Sequence, residues 1–94
     1  MVKIKWSKNS QNDLKTIYQY ISNDSILYAT RLVDRIVLTV ETLAHFPLSG
    51  RMVPERNDET IRELIEGNYR IFYKIQSTKQ VAILRIHHSA RNIK

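Results

Sequence analysis

The chain has 94 residues, 43% of them hydrophobic, enough for one packed domain spanning 1–94 and too few for two. Fifteen lysines and arginines oppose nine acidic residues, a formal charge of +6 that favours polyanions or acidic proteins as partners. The lack of cysteine rules out disulfides, thiolate metal sites and a thiol nucleophile. With neither a signal-peptide pattern nor a long apolar run, a cytoplasmic protein with no membrane association is expected.

Val2, Ile4 and Trp6 alternate with Lys3 and Lys5, the period of a short half-buried strand with a basic side. Ser7 and Ser10 are both suitable helix caps, and Leu14, Ile17, Tyr18 and Ile21 follow at helical spacing. Ser22 to Ser25 form a polar break. Ala29, Leu32, Val33, Ile36, Val40 and Leu43 then resume the pattern, which predicts an antiparallel helical hairpin. Phe46-Pro47 is expected to end the second helix, since a residue before proline leaves helical geometry. Pro47, Ser49, Gly50, Pro54, Asn57 and Asp58 mark an irregular connection.

The remainder predicts a three-stranded antiparallel meander over Thr60 to Ile65, Tyr69 to Gln76 and Val81 to His87, with Gly67 supplying positive φ in the first turn. The fold class is therefore α+β. Side-chain parity puts Tyr69, Ile71, Tyr73 and Ile75 on one face of the middle strand and Arg70, Phe72 and Lys74 on the other. In the last strand, Ala82, Leu84 and Ile86 make an apolar face expected to meet the helices, leaving Val81, Ile83, Arg85 and His87 opposite. The pattern leaves the orientation of the first meander strand open, because Ile61 and Ile65 share parity with Glu63 while Leu64 shares it with Arg62.

This parity brings Arg70, Arg85 and His87 onto one face, with Arg51, Arg62 and Arg91 at its margins. The planar guanidinium fork suits phosphate, and Phe72 offers a ring for an unpaired base. Pairing of these arginines with Glu55, Glu63 or Glu66 is the structural alternative. Glu55 as general base, Arg70 as phosphate stabiliser and His87 as general acid would together make a metal-free ribonuclease site. His88 neighbours His87, but adjacent strand residues point to opposite faces. No motif for a metal, a nucleotide loop or another cofactor is present, and none is expected.

Taken in order, Phe46-Pro47, Ser49-Gly50-Arg51-Met52-Val53-Pro54-Glu55, Ile61-Arg62-Glu63-Leu64, Gly67-Asn68-Tyr69-Arg70-Ile71-Phe72-Tyr73 and His87-His88-Ser89-Ala90-Arg91 resemble the ParE/RelE toxin superfamily. Asp13-Leu14, Ile17 and Tyr20-Ile21 look like its first helix. The resemblance implies a strand, a helical hairpin and an antiparallel sheet, together with a tightly bound cognate antitoxin. Tyr18, Tyr20 and Tyr28 are the candidate antitoxin contacts.

The Gly-Arg loop, the Arg-Glu-Leu strand and the His-Ser-Ala-Arg ending look more like ParE, whose members poison DNA gyrase. Glu55, Arg70 and His87 match the glutamate, arginine and histidine of the YoeB-like branch, which implies ribosome-dependent messenger RNA cleavage. That branch has a tyrosine after its histidine where this chain has His88 and continues to Lys94. The lysine-rich pattern of RelE proper is missing, with no lysine between Lys15 and Lys74. The expectation is a ParE-like gyrase poison. Messenger RNA cleavage is the alternative, and a non-toxic module acting with its antitoxin in operator control is a third.

Overall fold

The computed structural model describes residues 1–89. In chain order they form β1 (Lys3–Trp6), α1 (Lys8–Ser22), α2 (Ile26–Glu41), β2 (Arg51–Met52), β3 (Ile61–Glu66), β4 (Tyr69–Ser77) and β5 (Gln80–His88). The sheet order is β1-β5-β4-β3-β2. β1 runs parallel to β5, and every other neighbouring pair is antiparallel. This is the expected α+β arrangement of strand, helical hairpin and meander.

Two serines start the helices. The Ser7 hydroxyl accepts the Ser10 amide at 3.0 Å, and the Ser25 hydroxyl accepts the Tyr28 amide at 3.1 Å, each satisfying one otherwise orphaned donor. Ser10 is no cap: it is buried, and its own hydroxyl donates to the Ser7 carbonyl at 2.8 Å. α2 ends at Glu41, earlier than Phe46-Pro47 predicts. There the Thr42 hydroxyl donates to the Thr39 carbonyl at 2.6 Å and the chain tightens into a 3-10 turn over Thr42–Ala44. That turn drives Leu43 fully into the core.

Ala29, Leu32, Ile36 and Val40 form the buried stripe of α2, and Leu14, Ile17 and Ile21 of α1 pack beside it. They meet Tyr69, Ile71 and Tyr73 of β4 and Val81, Ile83 and Ile86 of β5. Burying a side chain of this size contributes about 1.5–3 kcal/mol, so this layer is the main source of stability. The parity of β4 is as predicted, and Gly67 turns the chain into it with φ 57°.

The parity of β5 is not. Val81, Ile83 and Ile86 face the helices, where Ala82, Leu84 and Ile86 were expected. A β-bulge is the reason: Tyr73 pairs with Ile83 and Phe72 with Arg85, leaving Leu84 as an extra residue that reverses the alternation. β1 stops at Ile83, and the start of α1 takes over β5's free edge. The Ser7 amide and hydroxyl donate to the Ile83 and Leu84 carbonyls, both at 3.0 Å, and the Ile86 amide donates to Asp13 at 2.9 Å.

Register also settles β3. Ile61, Glu63 and Ile65 pair with Lys74, Phe72 and Arg70 and so lie on the face away from the helices, while Arg62 and Leu64 lie toward them. The connection before β3 is fastened by Tyr73, whose hydroxyl donates to the Pro47 carbonyl at 2.7 Å and accepts the Gly50 amide at 2.9 Å. This brings Arg51 and Met52 against Glu63 and Arg62 as the edge strand β2, which the sequence pattern did not predict. A Cβ at Gly50 would stand 2.6 Å from the Tyr73 ring and 2.7 Å from the Glu63 carbonyl, so only glycine fits. Among the described residues no helix is long and apolar enough to cross a membrane.

Candidate functional site

The centre of the face away from the helices is built by β4 and β5, where Arg70 lies opposite His87 and Phe72 opposite Arg85. The Arg70 guanidinium carbon sits 4.8 Å from the centre of the Phe72 ring, and the His87 ring meets that ring edge-on at 5.7 Å. The loop after β2 adds Glu55. Its two oxygens accept from both terminal nitrogens of Arg70 at 3.0 and 3.1 Å. Glu55, Arg70 and His87 therefore do converge, beside a cleft of about 240 Å³ that Val53, Ile61, Phe72 and Leu84 line with apolar surface.

Glu63 decides the electrostatics. Its fully buried carboxylate accepts the Nε–H of Arg70 at 2.6 Å through one oxygen and that of Arg51 at 2.5 Å through the other. Arg70 thus lies between two carboxylates, and the hydrogen bonds it donates to Glu55 and Glu63 raise its pKa further above the usual arginine range. The hydrogen bond from Arg70, helped by the charge of Arg51, holds the Glu55 carboxyl below the ordinary glutamate value. A base at Glu55 is accordingly weak. Burial first, then the charges of Arg85 and Arg70, push His87 below the usual histidine value against an opposing pull from Asp13. This shift disfavours the imidazolium form that a general acid at His87 would use.

Arg85 starts on the same face, but its guanidinium turns toward α1 and makes a two-pronged pair with Asp13 at 2.8 and 3.0 Å. Burial alone would raise the Asp13 carboxyl; the hydrogen bonds from Arg85 and the Ile86 amide, with the charges of Arg85 and His87, outweigh it and hold the group below the ordinary value. A second cleft of about 250 Å³ opens beside this pair, lined among others by Asp13, Tyr20, Tyr69, His87 and His88. Both histidines reach it, although within the sheet His87 packs on Phe72 and His88 edge-on against Tyr69 at 5.1 Å.

The marginal arginines divide. Arg51 is largely exposed and bound to Glu63. Arg62 does not join the face: it points to the helix side and donates to the Glu59 and Gly50 carbonyls at 3.0 and 3.1 Å. Arg91 lies outside the described residues. Tyr18, Tyr20 and Tyr28 are all exposed on the helices, and Tyr18 lines an apolar groove with Trp6, Leu14, Val33 and Val37. Among the described residues no group of three or more possible ligands could hold a metal ion. Sequence reasoning named Glu63 among the possible partners of these arginines but missed its burial between two of them, and it missed the role of Asp13. The signal for Glu63 was its place between Ile61 and Ile65 on one strand parity, an acid flanked by apolar residues; nothing comparable marked Asp13.

Residues 4–93 match the ParE toxin family of the type II toxin–antitoxin system parDE. The chain belongs to this family. It is similar to Toxin RelE2 of Caulobacter vibrioides, 31% identical over 97% of this chain and 99% of that one. The putative toxin Y4kP of Sinorhizobium fredii is 33% identical over 93% of this chain and 88% of its own. Among solved structures, the chromosomal ParDE toxin–antitoxin system of P. aeruginosa superposes with a TM-score of 0.74 at 26% identity, over 94% of this chain and 96% of that chain. The RelBE2 toxin–antitoxin complex of Mycobacterium tuberculosis shares the fold, with a TM-score of 0.69 at 21% identity over 93% and 96%. As a ParE-family member the chain is the toxin component of a type II toxin–antitoxin system.

Proposed function

We propose that this ParE-family toxin acts as a binding poison of DNA gyrase, without cutting nucleic acid itself, and that a cognate antitoxin neutralises it. One relationship carries the reading: Arg70, the cation a nuclease would aim at phosphate, is held by Glu55 and Glu63. The lowered pKa of His87 and the pairing of Arg85 with Asp13 support it. The first weakens a general acid, and the second takes a cation away from the face where phosphate would lie. The neighbouring solved structures include toxin–antitoxin assemblies, which supports an antitoxin partner for this chain. An acidic amphipathic antitoxin segment would contact the exposed Tyr18, Tyr20 and Tyr28 and offset the +6 charge.

The convergence of Glu55, Arg70 and His87 around Phe72 favours a second reading, ribosome-dependent cleavage of messenger RNA. Induced expression in a bacterial host, with chromosomal breaks and messenger RNA fragments followed in parallel, separates the two. The gyrase reading expects double-strand breaks that persist in His87→Ala. Intact chromosomes, with messenger RNA fragments that vanish in His87→Ala, would replace it by the second.

A further inference from the structure

Arg70 is gripped by two carboxylates of opposite character. Glu63 is fully buried, belongs to the sheet and takes the Nε–H, which fixes the plane of the guanidinium. Glu55 comes from an irregular loop, its side chain is 60% exposed, and it takes both terminal nitrogens, the edge that two oxygens of a carboxylate or a phosphate would occupy. The Glu55 end of this pair is open to water, which compensates for its release, while Arg70 stays held by Glu63.

We propose that Glu55 is an internal latch, an intramolecular stand-in for an oxyanion of the phosphate class, and that its withdrawal uncovers a binding site on the outer edge of Arg70. The charge around the site fits. Arg51, Arg56, Arg70 and Arg85 stand about this cleft or its acids, against Glu55, Glu63 and Asp13. With Glu55 withdrawn, four guanidiniums face two carboxylates, and the excess of two positive charges matches a phosphate dianion. A single carboxylate such as Glu55 leaves one of those charges uncompensated. Glu63 is the positioning residue: it holds Arg70 against Phe72 whether the latch is shut or open.

This inference concerns the state in which Glu55 has withdrawn, whereas the gyrase reading rests on the state in which Glu55 holds Arg70. It also opposes the role of Glu55 as general base, because a base is needed for activity whereas a latch restrains binding. The test titrates inorganic phosphate into the purified chain at constant ionic strength, following the Arg70 Nε–H by 15N–1H NMR. Glu55→Gln is expected to bind phosphate about fivefold more tightly than the parent, the weight of a good exposed ion pair. Glu55→Gln combined with Arg70→Lys, which keeps the charge and removes the fork, is expected to lose that gain. Equal or weaker binding by Glu55→Gln, or a response that leaves the Arg70 signal unmoved, would overturn the proposal. Glu55 is exposed, so the single variant folds as the parent does and the comparison stands even where the double variant does not fold.

Discussion

Asp13 on the first helix and Arg85 on the last strand, 72 residues apart in sequence, close a two-pronged ion pair at 2.8 and 3.0 Å. Asp13 also receives the Ile86 amide, so one carboxylate seals the sheet edge just past the bulge. Asp13→Ala leaves that amide and Arg85 without this acceptor, and is expected to cost about 2 kcal/mol, or roughly 10 °C in Tm for a chain of this length. Asp13→Asn keeps an acceptor for Ile86 and should lose less than half as much by thermal denaturation. Since the folded carboxyl titrates below its unfolded value, its contribution is present above about pH 3.9 and is lost as pH falls through the folded pKa.

Gly50 and Tyr73 form a contact with no room for growth. Gly50→Ala forces a methyl group to within 2.6 Å of the Tyr73 ring and 2.7 Å of backbone, and should destabilise the chain by about 3 kcal/mol. Tyr73→Phe keeps the ring but strips partners from the Pro47 carbonyl and the Gly50 amide, at a cost of about 1–3 kcal/mol. Urea denaturation of both single variants and the double variant should give a sum well short of additivity, because each disturbs the same bond.

His87 makes stability depend on pH in a defined direction. Its folded pKa lies below the unfolded value of about 6.5, so below that pH the unfolded chain binds more protons than the folded one. The stability it contributes is complete above about pH 6.5 and is lost as pH falls through the folded value. Melting temperatures between pH 7.5 and pH 5 should decline in the parent and decline less in His87→Gln. An equal slope in both would show that other groups set the dependence.

Glu63 is expected to be intolerant of neutralisation. Glu63→Gln leaves Arg70, only 14% exposed, without its buried counter-charge, and breaking such a pair costs about 3 kcal/mol or more. Chemical denaturation would measure the loss. A replacement without effect would mean that Arg70 is held by Glu55 and Phe72 alone.

The sequence carried the helical hairpin, the meander and the parity of β4, because those segments keep an unbroken 3.6- or 2-residue period. It misassigned β5 because alternation counts residues and cannot see that Leu84 is extra. β2 escaped notice because two residues, Arg51 and Met52, have no period; they pair only because Tyr73 pulls Gly50 to the sheet. Glu55, Arg70 and His87 were gathered correctly. Their charge state was not legible, since it depends on Glu63 and Asp13 reaching across strands and helices. The resemblance to ParE/RelE located the family, and the family match agrees with it.

The parallel seam between β1 and β5 orders events during synthesis. Lys3 to Trp6 are made well before their partners, Gln80 to Ile83. A chain growing from the ribosome can form the helical hairpin early, but its apolar stripe stays uncovered until nearly the last strand has emerged. Premature termination before residue 80 therefore yields a fragment that keeps β4 but lacks β5, leaving β1 without its partner strand and the core without Val81, Ile83 and Ile86, a sticky target for proteolysis.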